Sequence, residues 1–179
     1  SEPMSYLLGV MNKWSSNFIA EQTLRLLGTT SGAGDKKGTW EGSKRVLGAC
    51  LDKMGVPQSQ VRMLNGSGLY TGNQYSPKHI TQVLQHMHRH PSSAEFKASL
   101  AIAAVDGTLA RRFKKGAAAK RLRAKTGTLN EVTALSGYVT TKKGRELAFS
   151  ILLNDTPKRS WRYRGIQDAI AEAIANFED

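Results

Sequence analysis

Residues 129–154 read LNEVTALSGYVTTKKGRELAFSILLN, and this stretch decides the fold class. In its first half, β-branched and aromatic residues recur at strand-like spacing before the turn Lys142-Lys143-Gly144. After the turn, the alternate positions are apolar: Leu147, Phe149, Ile151 and Leu153. Two alternating segments around a glycine-containing turn predict an antiparallel β-hairpin.

The segments on either side of this hairpin have the three- and four-residue apolar spacing of helices. Predicted helices cover residues 5–13, the next segment to Gly28, residues 41–54, the segment from Pro77 through His90, and an amphipathic last segment with Ile166, Ile170 and Ile174 beside Ala169, Ala173 and Phe177. A glycine-rich loop is expected over 28–38. Helices, then antiparallel strands, then a closing helix predict an α+β fold. We expect a single domain over 1–179, with 1–110 mainly helical and 122–179 holding strands and the C-terminal helix.

The composition excludes integral membrane and collagen-like proteins. The chain has 179 residues, of which 40% are hydrophobic and 22% charged. No apolar run approaches the roughly 20 residues of a membrane-spanning helix, and the N-terminal residues lack the pattern of a targeting segment. The single cysteine, Cys50, cannot form an internal disulfide. A reducing cytosol and the cell envelope are both compatible with that cysteine usage.

The charge is strongly basic and favours anionic partners. Lys and Arg number 26 against 14 Asp and Glu, a net charge of +12. Between Arg111 and Arg123 there is no acidic residue, and Phe113 is the one aromatic that could stack on a base. No nucleic-acid-binding motif fits this stretch, so a nucleic-acid partner is disfavoured. A solvated basic loop or a contact with an anionic wall polymer explains it better.

Three histidines near the end of one predicted helix are the candidate metal ligands. On a helix, His86 and His90 share a face one turn apart, whereas His88 does not. No cysteine or carboxylate lies within a few residues to complete a ligand set. The sequence therefore predicts no functional metal site.

Two short motifs carry the chemistry. Ser15-Ser16-Asn17 lies where two predicted helices join, and Lys125-Thr126-Gly127-Thr128 lies at the start of a predicted strand. Either motif alone is weak evidence, because Ser and Asn are common helix caps. Together and in this order, they match the second and third motifs of the penicillin-recognising serine enzymes.

The sequence resembles the D-alanyl-D-alanine carboxypeptidases/endopeptidases of the low-molecular-mass penicillin-binding proteins, in the class with a long insertion after the first motif. The resemblance covers nearly the whole chain. It rests on MNKWSSNFIAEQTLRLLG (11–28), GTWEGSKRVLGACLDKMG (38–55), NGSGLY (65–70), GTLARRF (107–113) and AKTGTLNEVTALSGYV (124–139). One departure is Asn65, which stands where many members carry an acid.

The resemblance implies part of a serine β-lactamase/transpeptidase-like fold, with an antiparallel sheet, flanking helices and a helical lobe. It implies a serine-type hydrolase of peptidoglycan stem peptides that acts through an acyl-enzyme, binds β-lactams, needs no cofactor and works in the periplasm or cell envelope. In that scheme Ser15 relays a proton, Asn17 holds the donor amide, and Lys125 supplies a positive charge. Thr126 and Thr128 hold the substrate carboxylate, and Gly127 lets a peptide pair with the strand edge.

The first motif of the family, Ser-x-x-Lys, occurs nowhere in the 179 residues; Ser76-Pro77-Lys78 is one residue too short. The resemblance places that motif well upstream of the second one. We therefore expect the chain to be the C-terminal half of the domain, inactive without the half that holds the nucleophile. The alternative is a non-catalytic module that binds peptidoglycan or an anionic polymer.

Overall fold

The computed structural model describes residues 2–30, 34–70, 72–156 and 160–178. Within them, five α-helices precede a four-stranded antiparallel sheet and a sixth follows it. The helices are α1 (Met4–Trp14), α2 (Asn17–Thr30), α3 (Trp40–Lys53), α4 (Pro77–Arg89), α5 (Ser93–Ser99) and α6 (Arg164–Ala175). The strands are β1 (Ala101–Ile102), β2 (Leu122–Thr128), β3 (Thr133–Thr140) and β4 (Glu146–Leu153). The predicted α+β class is confirmed.

The strands are ordered β1-β2-β3-β4, each antiparallel to the next. β3 and β4 pair along their whole length, from Thr133 opposite Leu153 to Thr140 opposite Glu146. Gly144, with φ +85, takes the left-handed conformation that the connecting turn requires. The predicted hairpin is confirmed, except that residues 129–132 connect β2 to β3 and do not extend β3.

Helices cover both faces of the sheet. On one face, the core includes Leu122 and Ala124 of β2, Leu135 of β3, and Ala171 and Ala175 of α6. On the other face, buried Tyr138 packs with Leu84 of α4 and Leu100, and its hydroxyl donates to the Leu84 carbonyl at 2.6 Å. This second layer joins the sheet to the helical lobe.

The predicted apolar face of α6 is wrong for most of its members. Ile166 and Ile170 are 49% and 40% exposed, and Phe177 is 48% exposed. The buried face instead carries Gln167, Ala171 and Ala175, with Ile174 packed against the core. Alanine side chains let the helix lie close to the sheet, and Arg112 Nη2 donates to Gln167 Oε1 at 3.3 Å, so the buried amide oxygen is satisfied.

Short elements were missed, and one loop starts later than predicted. The spacing rules found neither α5 nor the two-residue strand β1. α2 continues through Thr30, so Gly28 is helical; residues 31–33 of the predicted glycine-rich loop lie outside the described residues. None of the described helices has the length and apolar character that crossing a membrane requires.

Candidate active site

The junction of α1 and α2 presents Ser15. Helix α1 ends at Trp14, and Ser15 adopts a left-handed conformation with φ 58 and ψ 48. The backbone N–H groups of Ser15 and Ser16 both donate to the Met11 carbonyl, which ends α1 in a tight turn. Ser16 Oγ then accepts from Ile19 N at 3.4 Å and caps α2. The two helices therefore hold an exposed Ser15 hydroxyl at a fixed corner.

Strand β2 carries the Lys125–Thr128 motif in its latter half, not at its start as predicted. Successive side chains of a strand point to opposite faces, so Lys125 and Gly127 share one face and Thr126 and Thr128 share the other. Strand β1 pairs only with Arg123 and Ala124. Among the described strands, none pairs with that edge of β2 beyond Ala124, which leaves it open alongside the motif.

Lys125 and Ser15 are in direct contact, although 110 residues separate them in the sequence. Lys125 Nζ donates to Ser15 Oγ at 2.8 Å and to the Thr126 carbonyl at 2.7 Å. Burial lowers the pKa of Lys125 from 10.5 to about 8, because a cation is poorly solvated in a low-dielectric site. The two motifs therefore form one site, in which an ammonium group orients a serine hydroxyl.

An ion pair and a close backbone contact fix the end of α1 beside β2. Lys13 Nζ pairs with Asp106, whose other oxygen accepts from Ile102 N at 2.7 Å. A Cβ at Gly107 would lie 2.5 Å from the Lys13 carbonyl, so only glycine allows this approach. Sequence reasoning missed Lys13 and Asp106, because a pair of opposite charges 93 residues apart carries no local signal.

Two further side chains extend the site along the Thr face of β2. Thr126 Oγ1 donates to Thr108 Oγ1 at 2.9 Å, and Arg164 Nη2 lies 3.5 Å from Thr128 Oγ1. Thr108 belongs to the GTLARRF phrase, so the resemblance had flagged its segment without a role. Arg164 begins α6 and had no sequence signal. It adds a second cation near the open edge of β2.

Asn17 begins α2 and its side chain is exposed. No hydrogen bond among the described residues joins that side chain to Ser15 or Lys125. The structure therefore brings Ser15, Lys125 and Thr126 into one hydrogen-bonded group and leaves Asn17 at its margin, free to contact another molecule.

The NGSGLY loop packs on α2. Ser67 N donates to Glu21 Oε1 at 2.9 Å, and Gly68 N donates to Asn65 Oδ1 at 2.7 Å. A Cβ at Gly66 would lie 2.9 Å from the Ala20 carbonyl. Asn65 therefore closes its own turn, and its side-chain oxygen accepts the same backbone hydrogen bond that an acid could accept.

The histidines near the end of α4 contact one another and β4. The rings of His86 and His90 lie 6.0 Å apart, and His88 Nδ1 lies 2.9 Å from Glu146 Oε1. No group of three His, Cys, Asp or Glu side chains suited to a metal ion occurs in the described part of the chain.

A groove of about 1430 Å³ opens beside the end of β2. Tyr75, Ser76 and His79 line one side, and Thr128 with residues 129–132 lines the other.

We expect Lys125→Met to stabilise the chain below pH 8. There both folded and unfolded Lys125 are protonated, and the folded state bears the cost of a buried cation. Between pH 8 and 10.5 the folded state releases the proton first, so the parent's free energy of unfolding rises with pH and the advantage of the variant disappears. Each unit of pKa difference between the folded and unfolded states corresponds to about 1.4 kcal/mol. The gain in the free energy of unfolding at neutral pH is therefore at most about 3 kcal/mol.

Urea unfolding of both proteins between pH 6 and pH 10 measures this gain. Lys120→Met, which removes an exposed lysine, is the control and should show no pH-dependent gain. A Lys125→Met gain that stayed constant over this range would mean that burial does not disfavour the Lys125 cation.

Comparison with known proteins identifies relatives along nearly the whole chain. The sequence profile of the D-Ala-D-Ala carboxypeptidase 3 (S13) family matches residues 1–177. The D-alanyl-D-alanine carboxypeptidase of Actinomadura sp. (strain R39) is 35% identical over 183 residues, which cover 99% of this chain and 33% of that protein. The chain thus spans about one third of the length of this curated relative.

Solved structures share the fold. Penicillin binding protein 4 (dacB) from Haemophilus influenzae, in complex with a β-lactam, superposes with a TM-score of 0.87 at 24% identity, covering 99% of this chain and 42% of that one. The penicillin G acylated predatory endopeptidase Bd3459 from Bdellovibrio bacteriovorus gives a TM-score of 0.70 at 26% identity, covering 98% and 44%.

Proposed function

Since the chain belongs to the D-Ala-D-Ala carboxypeptidase 3 (S13) family, as its motifs predicted, we propose that it forms part of the active site of a serine-type D-Ala-D-Ala carboxypeptidase/endopeptidase. The proposed substrate is a peptidoglycan stem peptide, cleaved through an acyl-enzyme, and β-lactams acylate the same site. One observation carries the proposal: Lys125 Nζ donates to Ser15 Oγ at 2.8 Å and joins the two motifs.

Ser15 relays a proton in the proposed mechanism. When a nucleophile attacks the peptide carbonyl, its proton has to reach the departing amine of D-Ala. A hydroxyl can accept one proton while it donates another, and the Lys125 cation keeps the Ser15 lone pairs oriented. Preorganised groups of this kind stabilise the transition state without reorganisation at the moment of reaction.

The open edge of β2 holds the substrate. An extended peptide can pair with the backbone there, and Gly127 presents no side chain that would block its approach. Thr126, Thr128 and the cation of Lys125 hold the terminal carboxylate, while the Thr128 N–H supplies one half of an oxyanion hole. Asn17 reaches the donor amide from the start of α2.

The nucleophile has to come from outside these 179 residues, because no serine in them is followed by lysine three positions later. We propose that a segment carrying Ser-x-x-Lys completes the site, either in the same polypeptide or in a companion chain. Its serine N–H would complete the oxyanion hole. Because the substrate is peptidoglycan, the proposed location is the periplasm or another part of the cell envelope.

The test is covalent labelling by a fluorescent penicillin, followed by intact-mass spectrometry. The 179-residue chain alone should stay unlabelled and should not release D-Ala from a D-Ala-D-Ala peptide. The same chain joined to a Ser-x-x-Lys segment of a relative should gain one adduct on that serine. A stoichiometric adduct on the isolated chain would overturn the assignment. Reversible binding of stem peptide by the isolated and the joined chain, with no adduct on either, would favour a non-catalytic peptidoglycan-binding module.

A further inference from the structure

Five exposed basic side chains gather at the end of the sheet that is remote from Thr128. They are Lys114, Lys115, Lys120, Arg121 and Lys142, which we call the basic end. A cavity of about 360 Å³ marks where their segments meet. It is lined by Gly116, Ala117, Ala119, Arg121, Lys142 and Asn176. The loop before β2, the turn before β4 and the end of α6 therefore form one surface.

This surface keeps a net positive charge. The ion pairs found among the described residues use none of the five side chains. Three described carboxylates lie near the basic end. Glu146, opposite Thr140 at the start of β4, is paired with Lys97 and His88. Glu172 Oε2 is occupied by the N–H groups of Ala117 and Ala118, at 2.8 and 3.1 Å, and Glu178 is exposed after Phe177. Five cations against these three carboxylates, none of which pairs with them, favour an anionic partner.

An exposed apolar side chain borders the basic end. Phe177 is 48% exposed and directly follows Asn176, which lines the cavity. A phosphodiester polymer would make use of the cations alone, whereas a bilayer surface uses cations at the phosphate level and an apolar side chain among the head groups. The combination therefore favours a membrane over a nucleic acid or a wall polymer.

We propose that the basic end binds the surface of a bilayer that contains anionic phospholipid, with Phe177 inserted among the head groups. Arg121 precedes β2 and Thr128 ends it, so Thr128 lies about 20 Å from the basic end. A chain held on a membrane in this way keeps the groove beside Thr128 accessible from the aqueous side. The inference does not depend on the proposed catalytic function.

Co-sedimentation with vesicles tests the proposal. The chain should pellet with vesicles of phosphatidylcholine containing about 30% phosphatidylglycerol at about 0.1 M salt, and not with phosphatidylcholine alone. Each basic side chain contributes roughly fivefold to affinity at an anionic surface. A variant with Lys114, Lys115, Lys120 and Lys142 all changed to Gln should therefore bind at least about a hundredfold more weakly.

The matched control changes four exposed lysines of the helical half, Lys37, Lys44, Lys53 and Lys78, to Gln. It has the same net charge as the first variant and should bind like the parent. Phe177→Ser should weaken vesicle binding and leave binding to polyphosphate unchanged. The proposal is overturned if the chain does not bind the anionic vesicles, or if the two lysine variants lose the same affinity. It is also overturned if the Phe177→Ser variant binds vesicles like the parent, a result that would favour a phosphodiester polymer as the partner.

Discussion

Lys125→Met and Ser15→Ala should each slow acylation by penicillin about 100- to 1000-fold in an enzyme that joins these residues to a Ser-x-x-Lys segment. Each substitution removes one preorganised group from the proposed transition state, at a cost of about 2.7 to 4 kcal/mol. Because Lys125 Nζ and Ser15 Oγ are 2.8 Å apart, the double variant should lose much less than the product of the two effects. Stopped-flow acylation by a fluorescent penicillin gives the rates.

Lys120→Met is the matched control, since it removes a lysine that lies outside the motif. Its acylation rate should equal that of the parent, and neither motif variant should lower the thermal midpoint by more than a few degrees. The assignment of Ser15 and Lys125 to the site fails if Lys120→Met slows acylation as much as Lys125→Met, or if both motif variants react at the parental rate.

Gly137→Ala should destabilise the chain by about 3 kcal/mol or more. A Cβ at Gly137 of β3 would lie 2.1 Å from the Arg123 carbonyl and 2.6 Å from Ala124 Cα. Both atoms belong to the backbone of β2, so the two strands would have to separate next to Lys125. Urea unfolding measures the loss, and poor expression with proteolysis of the variant is the expected extreme.

Gly127→Ala is the contrasting substitution on the neighbouring strand. There an added Cβ would meet only the Cβ of Ala134, at 3.3 Å, so we expect a loss of about 1 kcal/mol or less. In the joined enzyme the same methyl group should hinder peptide pairing at the edge of β2. Equal stability of the Gly137→Ala variant and the parent would mean that the strands can separate at no cost.

The sequence predicted features that depend on neighbouring residues better than contacts between residues that are far apart in the chain. The alternation from Leu147 to Leu153 predicted the hairpin, because a strand with one buried face has apolar residues at alternate positions. The contact between Lys125 and Ser15 joins residues 110 positions apart, and only the family resemblance, not periodicity, placed them together. The Lys13–Asp106 pair has no such motif and could not have been found.

The error on α6 has a different origin. Hydrophobicity favoured Ile166 and Ile170 as the buried face, but the sheet accepts the face with small side chains, where Ala171 and Ala175 allow close packing. Periodicity alone gives the spacing of a face and not the angle at which the helix meets its partner. The same limit explains why Arg164 was missed. It lies beside Thr128 because α6 begins there, and periodicity does not predict where the start of a helix lies relative to the sheet.

Strand β4 ends the sheet order, with β3 on one side and no described strand on the other. Its eight residues, Glu146–Leu153, are mostly apolar, and one backbone edge of the strand is not paired with any described strand. An unpaired strand edge can form β-sheet hydrogen bonds with a strand of a second molecule. We therefore expect the chain to self-associate at high concentration unless another polypeptide segment pairs with this edge of β4.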